Sequence, residues 1–306
     1  MNLKDFSEKV RKGVCEFLGD GTEAELKEVV KNNGVVYQAI IIMGKETVAA
    51  PTIYLDPFFS EYERGKSMGE VVREVCRIYE ENRIEDEISF DFFRDYESVR
   101  GRIFQKIINY EKNKEILEEV PHIRFLDLAV VCYYAYMNDY LGRGSVQIAT
   151  EHLDMWGISQ EQLFADAREN TVNKLGPELR DMQEMVWEML SANLERIDKD
   201  QIEDVLRHTV REIPMYVMTL RGKYFGAVCI CFPEWLQAFA DKFGKNVFIL
   251  PSSIHELILI PDIGREEPDF LKSMVCEVNR EHVSEEERLS DQVYYYRLSD
   301  QSVSIL

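Results

Sequence analysis

The sequence has no long hydrophobic run and few positive charges for its size. No segment reaches roughly 18 uninterrupted apolar residues, the length that a membrane-spanning helix needs. The opening residues alternate charged and apolar types and lack the continuous apolar core of a signal peptide. Lys and Arg number 36 against 56 Asp and Glu, a formal net charge of −20, with no run of basic residues. These features predict a cytoplasmic protein with no membrane partner.

The charge balance also argues against nucleic acid as a partner, because an acidic surface repels a phosphate backbone. A minor alternative is an acidic surface that imitates nucleic acid. Metal and disulfide chemistry have little support, since the 6 cysteines and 5 histidines are scattered along the chain. Cys229 and Cys231 form a C-x-C pair, but a metal would need further ligands. We predict reduced core thiols, no metal and no cofactor.

The common cofactor and nucleophile signatures are missing too. There is no G-x-x-x-x-G-K-[ST] loop, and Gly142 and Gly144 lack the third glycine of a dinucleotide loop. His255 and Glu256 begin an H-E-x-x-H pattern, but Leu259 stands where the second histidine belongs. The sequence therefore indicates no cofactor-dependent activity.

The chain has enough apolar side chains to form a buried core, since its 306 residues are 45% apolar and 11% aromatic. Apolar residues at three- and four-residue steps predict an opening helix that stops at Gly19, with Leu3, Phe6, Val10, Val14 and Phe17 on its inner face. Capping boxes at Thr22–Glu25 and Ser67–Glu70 predict two more helices, the first ending near Asn33. Residues 177–194 give the longest helical pattern.

Runs of β-branched and aromatic residues predict strands and hairpins. The predicted strands lie at residues 35–43, 46–55, 102–109, 125–137, 145–149, 215–220, 227–232, 247–250, 256–260 and 293–298. The fold class is therefore α+β, with β-hairpins and mixed or antiparallel sheets flanked by helices. We predict an N-terminal α+β domain at 1–176, a helical connector at 177–210 and a C-terminal α+β domain at 211–306.

The stretch FILPSSIHELILIPD, residues 248–262, contains the residues of this chain that most resemble a catalytic group. Ser253 and His255 lie two apart and would share a face of an extended chain, with Glu256 beside them. No glycine flanks the serines as a nucleophile elbow requires. The simpler interpretation is structural, with Pro251 fixing the backbone and the serine hydroxyls satisfying turn amides.

The segment YLDPFFSEYERG concentrates four aromatic residues among acids: Tyr54, Phe58, Phe59 and Tyr62. These side chains could hold a ligand, or they could pack the segment over a sheet.

Several segments together resemble a domain-of-unknown-function family that is widespread in gut clostridia. The resemblance is carried mainly by WGISQEQLFADARENT and ILPSSIHE, and it spans nearly the whole chain. A second uncharacterised bacterial family is similar more loosely. Neither resemblance implies a named activity, so no catalytic residue is transferred; the expectation is a cytosolic protein.

The sequence favours a non-catalytic protein that binds another protein or a small-molecule ligand through sheet edges and the aromatic segment. The alternative is a hydrolase-like enzyme centred on Ser253, His255 and Glu256. The two hypotheses differ in what those three side chains do. A catalytic group would converge in a cleft, whereas a structural group would be engaged in its own turn.

Overall fold

A computed structural model describes residues 1–19, 21–44, 51–82, 91–138, 142–192, 214–265 and 267–306. The chain divides into two compact units. The first consists of Met1–Asp95 and Tyr136–Gly144, and the second of Tyr96–Ala135 and Ser145–Leu306. The domain boundaries predicted from the sequence, at residues 176 and 210, stay a prediction.

The first unit packs helices against a three-stranded antiparallel sheet in the order β1-β2-β3. Its elements are α1 (Leu3–Leu18), β1 (Glu23–Val30), β2 (Val36–Met43), β3 (Thr52–Tyr54), α2 (Asp56–Glu63), α3 (Met68–Asn82) and α4 (Asp91–Arg94). The buried core residues are Phe6, Val10, Val14, Ile40, Ile42, Ile53, Leu55, Phe58, Val71, Val72, Val75, Cys76 and Tyr79. Apolar burial on this scale is the main favourable contribution to the stability of the unit.

Local signals set the ends of α1 and α3. The Asn2 side chain accepts a hydrogen bond from the Asp5 amide at 2.8 Å, and Gly19 ends α1 with a φ of 82°. At α3, the Ser67 amide donates to Glu70 Oε2 at 2.9 Å while the Glu70 amide donates to Ser67 Oγ at 3.3 Å. The Ser67–Glu70 capping box is therefore confirmed.

The helix predicted to follow Thr22 is wrong, because residues 23–30 form β1 and pair with β2. Ala24 and Leu26 alternate with charged residues and turn toward the core beside Ile42 and Ile40, a period of two that the capping motif concealed. Asn33 and Gly34 do not end a helix. With φ values of 62° and 70° they form the tight turn between the two strands.

The hairpin predicted after this turn is formed in part by described residues, since β2 and β3 pair antiparallel. Its turn at residues 45–50 lies outside the described residues. The inner face predicted for α1 is right at Phe6, Val10 and Val14, which are fully buried. It is wrong at Phe17, which is 57% exposed because it lies in the last turn of the helix, beyond the buried stripe.

The remainder of the chain forms two further sheets with helices around them. In its first part the elements are α5 (Tyr96–Val99), β4 (Ile103–Asn109), α6 (Lys114–Leu117), β5 (His122–Phe125), β6 (Leu128–Asn138), β7 (Gly142–Gln147), α7 (Thr150–Trp156), α8 (Gln160–Asn170) and β8 (Pro177–Asp181). The others are α9 (Met182–Ala192), β9 (Tyr216–Leu220), α10 (Pro233–Phe243), β10 (Val247–Pro251), β11 (Leu257–Pro261), α11 (Pro268–His282), β12 (Tyr294–Arg297) and β13 (Ser302–Ile305).

The larger sheet runs in the order β13-β12-β10-β11-β9-β8, and its described pairings are antiparallel. Helix α11 covers one face of it, where Leu271 and Val275 pack with Phe248, Leu250 and Ile260. The smaller sheet has the order β4-β6-β5, and β7 also pairs with β6, off that path. Together these sheets and helices confirm the α+β class.

Two predictions fail in this larger sheet. Residues 177–181 form strand β8 against β9, so the long helix predicted from residue 177 begins only at Met182 in the described chain. The AVCICF segment does not return as a strand beside β9; residues 226–231 form a buried 3-10 helix. Strand β9 pairs instead with β8 and β11, so tertiary pairing overrides the β-branched composition of that segment.

None of the helices in the described part of the chain combines the length and the apolar content of a membrane span.

Candidate functional site

The candidate catalytic residues lie on the connection between β10 and β11. Backbone hydrogen bonds close it, with the Ser253 amide donating to the Glu256 carbonyl at 3.3 Å. The Ser253 hydroxyl accepts from the His255 amide at 3.0 Å, and the Ser252 hydroxyl donates to Glu256 Oε1 at 3.4 Å. The structure thus brings Ser253, His255 and Glu256 together in one turn, where serine and carboxylate oxygens satisfy groups of that turn.

The imidazole of His255 faces a different loop. Its Nδ1 accepts a hydrogen bond from the Phe225 amide at 3.1 Å, and its ring stacks on the Phe225 ring with centroids 5.6 Å apart. The exposed Tyr224 ring lies 4.8 Å away. Because Nδ1 is an acceptor, the neutral ring carries its proton on Nε2, which faces Glu287 Oε1 at 3.5 Å.

Burial lowers the pKa of His255 from its usual value, and the nearby Glu287 carboxylate opposes that shift. The neutral form is therefore favoured. A neutral ring is also what the Phe225 contact requires, since a protonated Nδ1 could not accept the amide hydrogen. The pKa shift and the hydrogen bond point to the same role, an acceptor that holds the neighbouring backbone.

The loop that His255 holds has an unusual backbone. Lys223 and Phe225 have φ values of 58° and 56°, a region that non-glycine residues seldom adopt. Gly226 follows in a crowded place, where an added Cβ would lie 2.2 Å from Thr219 Oγ1 and 2.5 Å from the His255 carbonyl oxygen. The same carbonyl accepts a hydrogen bond from Thr219 Oγ1 at 2.8 Å. The turn and the loop are thus locked together through both backbone and ring.

A second acidic–histidine pair, Glu151 and His152, has a comparable structural role. His152 Nδ1 accepts a hydrogen bond from the Ala149 amide at 2.9 Å, at the start of α7. Burial lowers the pKa of His152, while the Glu151 charge opposes the shift. His152 also stacks on Trp156, one turn further along the helix. Its ring therefore caps and braces α7.

Cys229 is buried in the 3-10 helix and Cys231, at its end, is half-buried; all six cysteines of the chain carry free thiols. Burial raises the pKa of Cys229 to about 12 and that of Cys231 further, so both stay protonated and unreactive. Among the described residues, no group of three or more His, Cys, Asp or Glu side chains is arranged to hold a metal ion.

The aromatic segment of the first unit is divided between core and surface. Phe58 is buried, and Phe59 and Tyr62 pack on Phe6 with ring centroids 5.2 and 5.4 Å apart. Those three rings hold α2 against α1. Tyr54 is different: it lies on the other face of the three-stranded sheet, with its ring 5.5 Å from Tyr37 and under the ammonium group of Lys31.

A further candidate site, which the sequence did not indicate, is a groove between α1 and α3. It is an open depression of about 550 Å³ and is lined by Lys9, Lys12, Gly13, Glu16, Phe17, Met68, Gly69, Val72 and Arg73. We call it the α1–α3 groove. Its floor is apolar, and its rim carries cations although the chain as a whole has a net charge of −20.

The polar groups of the α1–α3 groove are less fully engaged than those of the turn. Lys9 pairs with no carboxylate of the described residues, and Lys12 lies 4.0 Å from Glu8, which is bound more closely by Arg11 at 2.6 Å. Arg73 has Glu70 nearby, but that carboxylate already accepts two hydrogen bonds from Ser67. The sequence held one signal of the site, glycines at positions 13 and 69 inside helical patterns.

Comparison with curated proteins and with solved structures returns no match to this chain. A family model does match it, over residues 3–298, which include both the turn around His255 and the α1–α3 groove. The resemblance to a domain-of-unknown-function family is thereby confirmed, and the chain belongs to the family of unknown function DUF5688.

Proposed function

We propose that this protein is a non-catalytic binding protein of the cytosol, and that it holds another macromolecule in the α1–α3 groove. The observation that carries the proposal is the exposed Phe17 ring, which lines a groove whose other lining residues include Lys9 and Arg73. The free thiols suit a reducing compartment.

Exposure of Phe17 is informative because of its neighbours. Single exposed apolar residues are common on protein surfaces and need no explanation. Here the ring lines a groove together with Met68 and Val72, and the same lining includes cations. An apolar centre with a charged rim is the usual composition of a protein-binding surface, in which aromatic and arginine side chains contribute most of the affinity.

The turn around His255 supports the non-catalytic part of the proposal. A serine nucleophile needs a base that takes its proton, and that base must be within hydrogen-bond reach of the hydroxyl. Ser253 Oγ accepts a hydrogen bond from the His255 amide, whereas the imidazole that would take its proton faces other groups, Nδ1 the Phe225 amide and Nε2 Glu287. Each group that the enzymatic alternative would use has a structural partner.

Affinity capture from extracts of the native host tests the proposal. The bait is the full chain, compared with Phe17→Ala and with Phe270→Ala as a matched control. Phe17 and Phe270 are exposed almost equally, at 57% and 58%, on helices of different units. We expect a reproducible partner that is lost with Phe17→Ala and retained with Phe270→Ala. Retention by both variants would contradict the role of the groove.

Labelling with a serine-reactive fluorophosphonate probe tests the enzymatic alternative. We expect no labelling of Ser253 in the folded chain, and no difference between Ser253→Ala and the neighbouring control Ser252→Ala. Labelling that disappears in both Ser253→Ala and His255→Ala, but persists in Ser252→Ala, would overturn the non-catalytic proposal.

A further inference from the structure

We infer that the α1–α3 groove receives an amphipathic helix of a partner protein whose polar face is acidic. This inference rests on the proposed function and names the class of its partner. Four observations support it: the length of the groove, its charges, the way its floor is built and the acidity of the chain as a whole.

The size of the groove suits a short stretch of helix. Its lining residues run from Lys9 to Phe17 on α1, which at 1.5 Å per residue is about 12 Å. On α3 they run from Met68 to Arg73, about 8 Å. Two turns of a helix cover such a length and present apolar side chains at i, i+3 and i+4 to the groove.

The charges around the groove select the sign of the partner. Lys9, Lys12 and Arg73 line it together with a single acid, Glu16. Of the nearby carboxylates, Glu8 is paired with Arg11, whereas Glu70 is hydrogen-bonded to the neutral Ser67 and keeps its charge near Arg73. The three cations of the lining therefore still outnumber the two acids, Glu16 and Glu70. An acidic helix would gain charge pairs here, whereas a basic helix would meet like charges on the rim.

The acidity of the remaining surface strengthens this selection. With 56 acidic residues against 36 basic ones, most of the surface repels an acidic partner. A cationic rim in such a chain therefore confers specificity, because unfavourable contacts elsewhere discourage other docking positions.

Two glycines shape the floor of the groove in different ways. At Gly13 an added Cβ would lie 2.7 Å from Val72 Cγ2, so glycine permits the close approach of α1 and α3. At Gly69 an added Cβ would meet nothing nearer than Arg73 Nη1 at 3.5 Å, so the packing of the unit does not require a glycine there. The glycine at position 69 leaves the floor open for a side chain from outside.

Fluorescence anisotropy with the full chain and two synthetic peptides tests the inference. One peptide is a helix with leucines on one face and glutamates flanking them; the other carries lysines in place of the glutamates. We expect the glutamate peptide to bind about tenfold more tightly than the lysine peptide, with an affinity that falls as salt is added. Lys9→Glu with Arg73→Glu should reverse the preference. The control Lys272→Glu with Arg280→Glu makes the same charge change on α11 and should not.

Gly69→Ala separates binding from folding. The substitution should leave the free energy of unfolding unchanged or higher and should weaken the glutamate peptide severalfold, because a methyl group then fills the floor. Equal binding of both peptides, no binding of the glutamate peptide, or insensitivity to Gly69→Ala would overturn the inference.

The two proposals fail in distinguishable ways. If affinity capture yields a partner that depends on Phe17 while the glutamate peptide does not bind, the groove is a binding site and the partner class is wrong. If affinity capture yields no partner that depends on Phe17 and the glutamate peptide does not bind either, the proposed function fails as well. Self-association in sedimentation that Phe17→Ala abolishes would show that a second copy of the chain occupies the groove, which would also overturn the inferred partner.

Discussion

The turn around His255 and the α1–α3 groove both gather polar side chains, but those side chains have different partners. At the turn, the Ser253 hydroxyl, the His255 ring and the His255 carbonyl all bond to groups of the same unit. At the groove, Lys9 has no carboxylate partner in the described chain, Lys12 is only 4.0 Å from a carboxylate that Arg11 binds more closely, and the Glu70 carboxylate near Arg73 accepts its hydrogen bonds from Ser67.

The difference shows why a cluster of chemically versatile residues is not by itself a functional site. Side chains that already satisfy buried backbone groups cannot leave them without exposing unpaired donors and acceptors, which costs about 1–3 kcal/mol for each group. Side chains with unused hydrogen-bonding and charge capacity can bind a partner without that loss. The comparison therefore supports a structural role for the turn and is the basis of the binding role proposed for the groove.

The largest effect that would sharpen this comparison is expected at Gly226. An alanine Cβ there would overlap Thr219 Oγ1 and the His255 carbonyl oxygen, at 2.2 and 2.5 Å. Gly226→Ala should lower the free energy of unfolding by about 3 kcal/mol, the upper range for overpacking. Urea denaturation measures the loss, and Gly69→Ala, at an uncrowded site, is the control. A loss below about 1 kcal/mol would show that the loop moves freely away from the turn.

The next largest effect on stability is expected at His255, whose ring joins its own turn to the loop at Phe225. His255→Ala removes the acceptor of the Phe225 amide and the stacked surface, so it should destabilise the protein by about 2 kcal/mol. His282→Ala, on the exposed end of α11, should change stability by less than about 0.5 kcal/mol. If both variants keep full stability in urea denaturation, the structural role of His255 is wrong.

Local sequence motifs predicted some elements of the fold correctly and others wrongly. The Ser67–Glu70 capping box and the β10–β11 hairpin were predicted because each depends on residues close together in the chain. The equally local Thr22–Glu25 motif was misleading, because β1 gains its partners from β2. The strand predicted for AVCICF is wrong for the same reason, because β9 pairs with β8 and β11 instead.

The sites were harder to predict than the fold. The sequence identified Ser253, His255 and Glu256 as polar neighbours, but the Phe225 amide that engages the ring lies 30 residues away. The α1–α3 groove joins residues more than fifty positions apart, from Lys9 to Arg73. Phe17 was assigned to the core because periodicity gives the face of a helix but does not show where its covering ends.

A smaller effect is expected in the dependence of stability on pH. Burial lowers the folded-state pKa of both His255 and His152. As the pH falls, the unfolded chain therefore takes up protons first, at about 6.5. Stability should be fully present above that pH and should fall below it, until the folded rings are protonated too. Denaturation midpoints between pH 7.5 and 5.5 measure the trend, which should be weaker in His255→Ala. An unchanged trend in that variant would show that His255 does not contribute.

The smallest effect on stability is expected at Phe17. Phe17→Ala should change the free energy of unfolding by less than about 0.5 kcal/mol, because the ring is largely in solvent. Phe6→Ala, on the same helix but fully buried, should cost about 3–5 kcal/mol. Urea denaturation compares the two. A large loss with Phe17→Ala would show that the ring stabilises the unit, which would weaken its assignment to binding.

Site-specific photo-cross-linking tests the central claim most directly. A photoreactive phenylalanine analogue replaces Phe17 in the α1–α3 groove or Tyr224 beside His255, two aromatic positions that are 57% and 54% exposed. In cells of the native host, irradiation should join a defined partner to position 17 and none to position 224. A partner captured at position 224 alone would contradict the account and would make the turn around His255 the functional surface.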